Sequence, residues 1–213
     1  MNSAAGLLIR PATRADLDSM VHVLAAAFAR DDPIDEHIFP DETVRDRRAP
    51  RMLRAMIRHR FLPVGGAEVA ELDGRVVGVL LWYPAGYRPG GPREMLAGPE
   101  LLVAMGPAVR RGIDVDAAMD RAAPAEPHFF HVYLGVEPGL QRRGVGRALY
   151  ASFAARADRE AVPICGLCKD GNVGYYEALG NECVGSVRLG ASGPELTIIL
   201  RRPRPLDPEE SRD

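Results

Sequence analysis

The sequence predicts a mixed α/β fold, of the α+β class, in which helices flank a central mixed sheet of about six to seven strands. Runs with strand periodicity and runs with helical periodicity follow one another over residues 7–201. The turn signal Asp73-Gly74 between two apolar runs predicts an antiparallel hairpin. A strand, loop, helix and strand over residues 129–169 predict a parallel strand pair joined by a right-handed crossover.

The N-terminal part is predicted to hold one strand and two helices. Residues 7–11 have the pattern of a short strand, and Thr13 is the expected N-cap of a helix over residues 13–30. The Asp-Asp-Pro run at residues 31–33 should end this helix, because proline cannot continue it. A second helix is expected over about residues 41–60, with its apolar side chains facing inward.

The middle of the chain is predicted to be a hairpin followed by an insertion. Residues 67–72 and 75–83 form the two strands of the hairpin. Residues 84–127 are rich in proline and glycine and contain two helical pieces, near residues 93–105 and 114–122. A segment of this length without strand signals is more often a functional insertion than a plain connection.

The C-terminal part supplies the remaining elements of the sheet. They are expected at residues 129–136 (strand), 144–159 (helix), 162–169 (strand), 172–179 (helix), and 182–189 with 195–201 (an antiparallel pair). We therefore expect one domain over residues 1–202, followed by a charged, proline-rich and disordered tail over residues 203–213.

Composition and charge argue against several classes of partner. The 213 residues carry a formal net charge of −2, which gives no bulk attraction to nucleic acid. No apolar run approaches the roughly 18 residues that span a bilayer. Residues 1–6 are too short and too uncharged for a secretory signal. We expect a cytoplasmic protein with neither a nucleic-acid nor a membrane partner.

The cysteines do not predict a metal site. Cys165 and Cys168 have the spacing of a redox or zinc motif, but no second pair accompanies them. They also lie on a predicted strand, where positions three apart point to opposite faces. We expect buried structural thiols and no bound metal.

The loop between the predicted strand 129–136 and the following helix carries the main functional signal. Its sequence, Gln-Arg-Arg-Gly-Val-Gly-Arg, occupies residues 141–147. Glycines let the backbone approach a ligand closely, and the free N–H groups of a helix N-terminus favour an anion. The arginines add charge-assisted contacts. The loop therefore predicts a phosphate or pyrophosphate site. It matches neither the dinucleotide fingerprint nor the nucleotide phosphate loop.

Two motifs resemble the signatures of the GNAT superfamily of N-acetyltransferases. Gln-x-x-Gly-x-Gly at residues 141–146 resembles its acyl-CoA motif, and Asn-x-x-x-Tyr-Glu-x-x-Gly at residues 172–180 resembles its second signature. The resemblance covers residues 7–202 and implies the GNAT fold, with a parallel strand pair that splays at the acyl-CoA site. Residues 78–84, the helical insertion and residues 126–130 are similar to the branch that contains puromycin N-acetyltransferase-type enzymes.

The resemblance implies an acyl-CoA-dependent N-acyltransferase. In its simplest form the enzyme transfers acetyl from acetyl-CoA, as cosubstrate, to a primary amine of a small molecule or peptide by direct attack in a ternary complex. Main-chain groups of two strand residues would hold the pantetheine, and the Val136 N–H would also polarise the thioester carbonyl. The residues implied in acyl-CoA binding are Leu134, Val136, Gln141, Arg142, Arg143, Gly144, Val145, Gly146, Arg147 and Asn172.

Tyr176 is the candidate general acid, because a phenol with an ordinary pKa near 10 can protonate a departing thiolate. The general base stays open. Phe130 stands where some family members have a glutamate base, and His128 is two residues earlier on the same strand face. An imidazole there can take a proton directly or through water. His131, on the opposite face, and Glu126 are further candidates.

Two other residues of the second signature carry their own expectations. Tyr175 points about 100° away from its neighbour Tyr176 on a helix, so it is expected to pack. Asn181 stands where the signature has phenylalanine, and the loss of an apolar plug should loosen the short helix.

Substrate contacts are expected from the loop after the first helix and from the start of the insertion. An acidic residue would attract a cationic amine, and aromatic residues would contact its apolar body. The candidates are Asp32, Phe39, Trp82 and Tyr83. For Asp32 the alternative is simple helix termination, and Trp82 and Tyr83 alternate faces, so at most one of them looks into a given cleft.

Two other functions remain open from the sequence. The chain could be a non-catalytic acyl-CoA sensor, which the missing glutamate at Phe130 would permit. It could also be a nucleotide-binding protein that uses the glycine loop for a different phosphate, although the second signature argues against this. Thioester turnover with a panel of amines distinguishes an enzyme from an acyl-CoA sensor. A comparison of thermal stabilisation by acetyl-CoA, ATP and NAD distinguishes an acyl-CoA site from a nucleotide site. The sequence does not determine the oligomeric state, and a homodimer is one of the states that it permits.

Overall fold

The computed structural model describes residues 6–87 and 92–205. In this part of the chain a seven-stranded sheet has the order β1-β2-β3-β4-β5-β7-β6. Its strands are β1 (Leu7–Pro11), β2 (Ala67–Leu72), β3 (Arg75–Tyr83), β4 (Phe129–Val136), β5 (Ile164–Cys168), β6 (Glu182–Arg188) and β7 (Glu195–Arg201). Strands β4 and β5 are parallel, and the other neighbouring strands are antiparallel. The predicted mixed sheet with flanking helices is confirmed.

Helices cover both faces of the sheet. They are α1 (Leu17–Ala27), α2 (Pro33–Ile38), α3 (Glu42–Met56), α4 (Pro92–Met105), α5 (Val109–Ala122), α6 (Val145–Arg159) and α7 (Val173–Glu177). Helices α1 and α3 pack with β2, β3 and β4 in one apolar layer, and α6 packs on the opposite face. Helices α4 and α5 fall within the predicted insertion. No described helix is long and apolar enough to cross a bilayer.

The alternation of strand side chains divides the core between the two faces. In β3, Val79 packs toward α1 whereas the adjacent Leu80 packs toward α6. In β4, Phe130 and Phe129 divide in the same way. The hairpin occupies the predicted bounds, residues 67–72 and 75–83.

Two helix predictions differ from the structure. The predicted helix over residues 13–30 is a 3₁₀ turn, Arg14–Asp16, followed by α1, which ends at Ala27. The Asp-Asp-Pro run at residues 31–33 was expected only to end a helix, but Asp32 also begins a new one. Its Oδ1 accepts the N–H groups of Ile34 and Asp35 at 3.0 and 2.8 Å as the N-cap of α2. The sequence analysis missed α2.

The parallel pair separates soon after it begins. Strand β4 pairs with β5 only from Phe129 to His131, although β4 itself continues to Val136. The register between β3 and β4 shifts at Val132, which has no partner in the pairing with β3 and so forms a bulge. This bulge lies at the point where the two strands part. The sheet therefore has a gap in its middle, open at the carboxyl ends of two parallel strands, where ligands of α/β proteins commonly bind.

Candidate active site

A cavity of about 170 Å³ opens where β4 and β5 part. Side chains of β4, β5 and α7 form one part of its wall, and side chains of α2, α3, α4 and α5 form the rest. Of the residues selected from the sequence, Leu134, Asn172, Tyr176 and Asp32 line it. The structure thus brings together residues from β4, from the second signature and from the loop after α1, whereas residues 141–147 lie outside the lining.

The glycine loop has the backbone that the sequence predicts for an anion site. Gly144 is the N-cap of α6 with φ 90°, and Arg142 also has a positive φ of 61°. The helical hydrogen bonds begin with the N–H of Ala148, which donates to the Gly144 carbonyl at 2.9 Å. The N–H groups of residues 145–147 therefore have no acceptor in the preceding turn, as at any helix N-terminus. Arg142 and Arg143 are exposed beside them.

Gly146 lies in a place that only a glycine fits comfortably. A Cβ atom there would be 3.0 Å from the Tyr175 hydroxyl oxygen, 3.5 Å from Val136 Cγ2 and 4.0 Å from Leu134 Cδ2. The loop, the end of β4 and Tyr175 thus enclose a narrow cradle around Gly146. Burial raises the pKa of Tyr175, and nearby Arg147 acts in the opposite direction. Tyr175 was expected only to pack, but its hydroxyl lies against the glycine loop.

The edge of β4 beyond the bulge presents main-chain groups to the gap. The Gln141 side-chain amide donates to the Val136 carbonyl at 3.2 Å, while the Glu137 N–H donates to β3. The Val136 main chain therefore points away from β3, and Leu134, two residues earlier, points the same way. With β5 no longer paired at this level, the polar groups of both residues face the gap. These are the main-chain groups that the resemblance assigns to pantetheine.

Tyr176 is buried, with 6% of its surface exposed, and lines the cavity. Its ring packs edge-on against His131 at 5.5 Å and Tyr150 at 5.8 Å between ring centroids. Burial raises the pKa of Tyr176 well above 10, so the phenol holds its proton at neutral pH. A phenol in this state can donate a proton but cannot act as a base.

Asn181 fixes α7, contrary to the expectation that it loosens this helix. Its Nδ2 donates to the Tyr176 carbonyl at 2.9 Å, and its Oδ1 accepts from the Tyr150 hydroxyl at 2.7 Å. The side chain is buried with both ends of its amide bonded. A polar plug therefore replaces the apolar one, and it ties α7 to α6.

The structure does not place His128 in the cavity that Tyr176 lines, so the two predicted catalytic residues are not brought together. His128 lines a second cavity of about 470 Å³, and its Nδ1 donates to the Glu126 carbonyl at 2.8 Å. Phe130 lines both cavities and lies on the strand face that His128 shares. Tyr176 packs on the opposite face of the sheet, and His131 points to that face.

His131 is the histidine of the first cavity, although the sequence ranked it lower. It is 3% exposed, and neither ring nitrogen has a hydrogen-bond partner among the described residues. Burial lowers its pKa to about 4, so the ring is neutral at pH 7. A buried neutral imidazole is a weak base, but one of its nitrogens is a hydrogen-bond acceptor.

Three of the four predicted substrate residues do not line the first cavity. Phe39 is 1% exposed and packs among α2, α3 and α4. Trp82 faces α6, with the Arg156 guanidinium 5.6 Å from its ring centroid. Tyr83 lines the second cavity and stacks on Phe61 at 4.9 Å. Each of these large aromatic side chains packs where it buries the most apolar surface. The sequence does not show in advance which packing layer that is.

Asp32 does line the first cavity, and a second carboxylate stands near it. Burial raises the pKa of Asp32. Burial and the charge of Asp32 raise the pKa of Asp35 to about 7. One oxygen of Asp35 has no hydrogen-bond partner among the described residues. The sequence gave no signal for Asp35, because α2 itself was not predicted.

No group of three or more metal-ligating side chains occurs among the described residues. Cys165 and Cys168 are free thiols buried on opposite faces of β5. Burial raises the pKa of each thiol to about 11, which disfavours the reactive thiolate.

No family model matches the sequence. The fold is similar to that of several solved acetyltransferases. A structure described as a histone acetyltransferase and related acetyltransferase from Corynebacterium glutamicum has a TM-score of 0.73 and 23% identity, over 93% of this chain and 97% of that one. An agmatine N-acetyltransferase has a TM-score of 0.65 and 15% identity, over 92% and 99%. A polyamine N-acetyltransferase from Drosophila melanogaster has 0.61 and 17%, over 91% and 97%.

At these identities the structural similarity shows a shared fold and no more. The described residues form a seven-stranded, mostly antiparallel sheet with one parallel pair and flanking helices, which matches the GNAT fold. The protein therefore has the GNAT acetyltransferase fold.

Proposed function

We propose that the protein is an N-acetyltransferase that transfers acetyl from acetyl-CoA to a primary amine by direct attack in a ternary complex. One observation carries the proposal: the free main-chain edge of β4 connects the glycine cradle to the cavity that Tyr176 lines. Leu134 joins them, because its side chain lines the cavity and approaches Gly146, while its main chain faces the gap.

The residues present fit acetyl-CoA. The cradle at Gly146 would be filled by a Cβ atom, and the free N–H groups of residues 145–147 suit a pyrophosphate. Arg142, Arg143 and Arg147 supply positive charge, and Gln141 holds the loop to β4. Leu134, Val136 and Asn172 would contact the pantetheine arm. Bound acetyl-CoA would supply an acyl group activated as a thioester.

The protein side of the reaction then consists of positioning and proton transfer. A main-chain N–H of the free β4 edge polarises the acyl carbonyl. His131 accepts a hydrogen bond from the entering amine, which reacts in its neutral form because a ring with a pKa of about 4 does not remove the proton of an ammonium group. The C–N bond would form as the C–S bond breaks, and Tyr176 would give its proton to the departing thiolate. The proton lost by the acetylated nitrogen would restore the Tyr176 phenol through His131, whose ring lies 5.5 Å from the Tyr176 ring between centroids.

We also infer that the protein belongs to the puromycin N-acetyltransferase-like branch and acts in the cytoplasm. The helical segment between β3 and β4, which contains α4 and α5, supports the branch assignment. It closes one side of the cavity and is therefore in a position to select the acceptor.

The test combines binding with turnover. CoA and acetyl-CoA should raise the melting temperature, because a ligand that binds only the folded state stabilises it, whereas ATP and NAD should not. Release of free CoA should depend on an added primary amine. Stabilisation by CoA without amine-dependent release would instead favour the acyl-CoA sensor. Equal stabilisation by ATP and CoA would favour the nucleotide-binding alternative.

A further inference from the structure

The cavity passes through the sheet, from one face to the other. Tyr176 and Cys168 pack in the apolar layer under α6, on the side of the glycine loop. Phe130 and Tyr133 pack in the layer under α1 and α3. All four line the same cavity. The gap between β4 and β5 therefore connects a cofactor side to a second compartment among the helices.

We call this second compartment the acceptor chamber. It is lined by apolar side chains of α2, α3, α4 and α5, among them Ile38, Met52, Met56, Met105, Val115 and Met119. Methionine is flexible and polarisable, so it adapts to ligands of different shape. A dry apolar cavity of about 150 Å³ holds a benzene molecule. The whole cavity here, about 170 Å³, thus limits the ligand body to about one six-membered ring or a short alkyl chain.

The charged groups in and beside the cavity wall already interact with partners of the protein itself. Arg60 lies 3.4 Å from Asp116, and Lys169 lies 2.6 Å from Asp31 at the rim. The carboxylate of Asp32 accepts two backbone N–H groups. Asp116 therefore has a cationic partner, and the charge of Asp32 is offset by two backbone N–H groups and by nearby Lys169. A second ammonium group on a ligand would lose its hydration without gaining an unpaired carboxylate, which is unfavourable.

We propose that the acceptor is a primary monoamine with a compact apolar body, an alkyl chain of about six carbons or an arylalkyl group with a single ring, which occupies the acceptor chamber while its nitrogen points to the gap. This proposal rests on the proposed function. It differs from the acceptors named for two of the similar structures, agmatine and a polyamine, which carry more than one basic group. The apolar lining and the lack of a carboxylate for a second ammonium group among the lining residues that the structure describes are the reasons for expecting a monoamine.

The first experiment compares amines at fixed acetyl-CoA. Values of kcat/KM should rise by about fourfold for each methylene from ethylamine to hexylamine and then level off, since each buried methylene adds a similar increment until the chamber is full. Phenethylamine should match hexylamine, and spermidine should be a poor substrate. Higher kcat/KM for spermidine than for hexylamine would overturn the proposal.

The second experiment changes the chamber. Val115→Phe places a larger side chain in the wall, and it should lower kcat/KM for hexylamine at least tenfold more than kcat/KM for ethylamine. Val103→Phe, on an α4 side chain that is 79% exposed, is the matched control and should change neither. Met119→Ala enlarges the chamber and should move the optimum to longer amines, which keeps the test valid if Val115→Phe does not fold.

Two further measurements separate the possible failures. If hexanoyl-CoA with ethylamine is preferred, and Val115→Phe abolishes that preference, the chamber holds the acyl chain and the proposal is wrong. If no amine is acetylated, the proposed function fails. Calorimetric titration with hexylamine then tests ligand binding in the chamber without turnover. Binding that is lost in Val115→Phe and kept in Val103→Phe supports the proposed chamber. Absence of binding to the wild type contradicts it.

Discussion

The two sides of the cavity are built from different parts of the polypeptide. On the cofactor side, the structure relies on main-chain groups of β4 and of residues 141–147, with exposed arginines around them. On the acceptor side, buried side chains from α2, α3, α4 and α5 form the wall. A main-chain site needs glycines at fixed spacing, so it leaves a motif. A side-chain site requires only apolar residues that meet after folding, so it leaves none.

Tyr176 stands where the two sides meet, and its substitution should have the largest effect. Tyr176→Phe removes one hydroxyl and keeps the buried ring, so we expect kcat to fall by about 10²–10⁴-fold, the range for general acid–base catalysis. The Kd of CoA should be unchanged. Steady-state kinetics with an accepted amine, together with calorimetry, measures both.

Tyr175→Phe is the matched control for this prediction. The Tyr175 hydroxyl lies at the glycine cradle rather than in the cavity wall, so its loss should weaken CoA binding a few-fold and leave kcat near the parent value. A larger fall of kcat in Tyr175→Phe than in Tyr176→Phe would mean that the acid is assigned to the wrong tyrosine.

Gly146→Val tests whether the cofactor side is a main-chain site. The added side chain would fill the cradle between Tyr175 and Val136, so the Kd of CoA should rise by about 100-fold. Gly139→Val is the control, because a Cβ atom there has no neighbour within 4 Å. Calorimetry with CoA should find that variant close to wild type. Normal binding by Gly146→Val would place the phosphates elsewhere.

The acceptor side should respond to pH through Asp35. Its pKa is raised from 3.8 to about 7, so between about pH 4 and pH 7 the folded protein holds a proton that the unfolded chain releases. The free energy of unfolding therefore falls as the pH rises through this window, by up to about 1.4 kcal/mol for each unit of pKa shift. Urea denaturation at pH 4.5 and 7.5 should show that Asp35→Asn has a smaller decrease than wild type.

Asp120→Asn, an exposed substitution on α5, is the control for this comparison. It should keep the full decrease between the two pH values. If Asp35→Asn and wild type lose the same free energy of unfolding, Asp35 is ionised in the folded protein and the acceptor side is more polar than its lining indicates.

The exposed arginines should have the smallest effect. Arg142→Ala and Arg143→Ala remove charges that act largely through solvent, so CoA binding should weaken only a few-fold at low salt and the difference should vanish at high salt. Arg159→Ala, at the other end of α6, should have no effect at either salt concentration. A salt-independent loss in Arg143→Ala would indicate a direct, desolvated contact with the phosphate.

Much of the fold could be predicted because its signals are local. The hairpin at residues 67–83, strand β4 and strand β7 lie where periodicity and turn residues place them. Helix α2 was missed, because the same Asp-Asp-Pro run that ends one helix also caps and begins another. The predicted tail beyond residue 205 lies outside the described residues, and the domain bounds stay a prediction.

The sequence alone determined the glycine loop, the second signature and the parallel pair, because each depends on backbone conformations that few residue types allow. Only the tertiary structure decided which side chains share the cavity. It placed His131 rather than His128 beside Tyr176, turned Trp82 toward α6 and brought Asp32 to the methionines of three other helices. The reason is physical: the face of the sheet that forms the site depends on where β4 bulges and parts from β5, and that point is set by long-range packing rather than by local sequence.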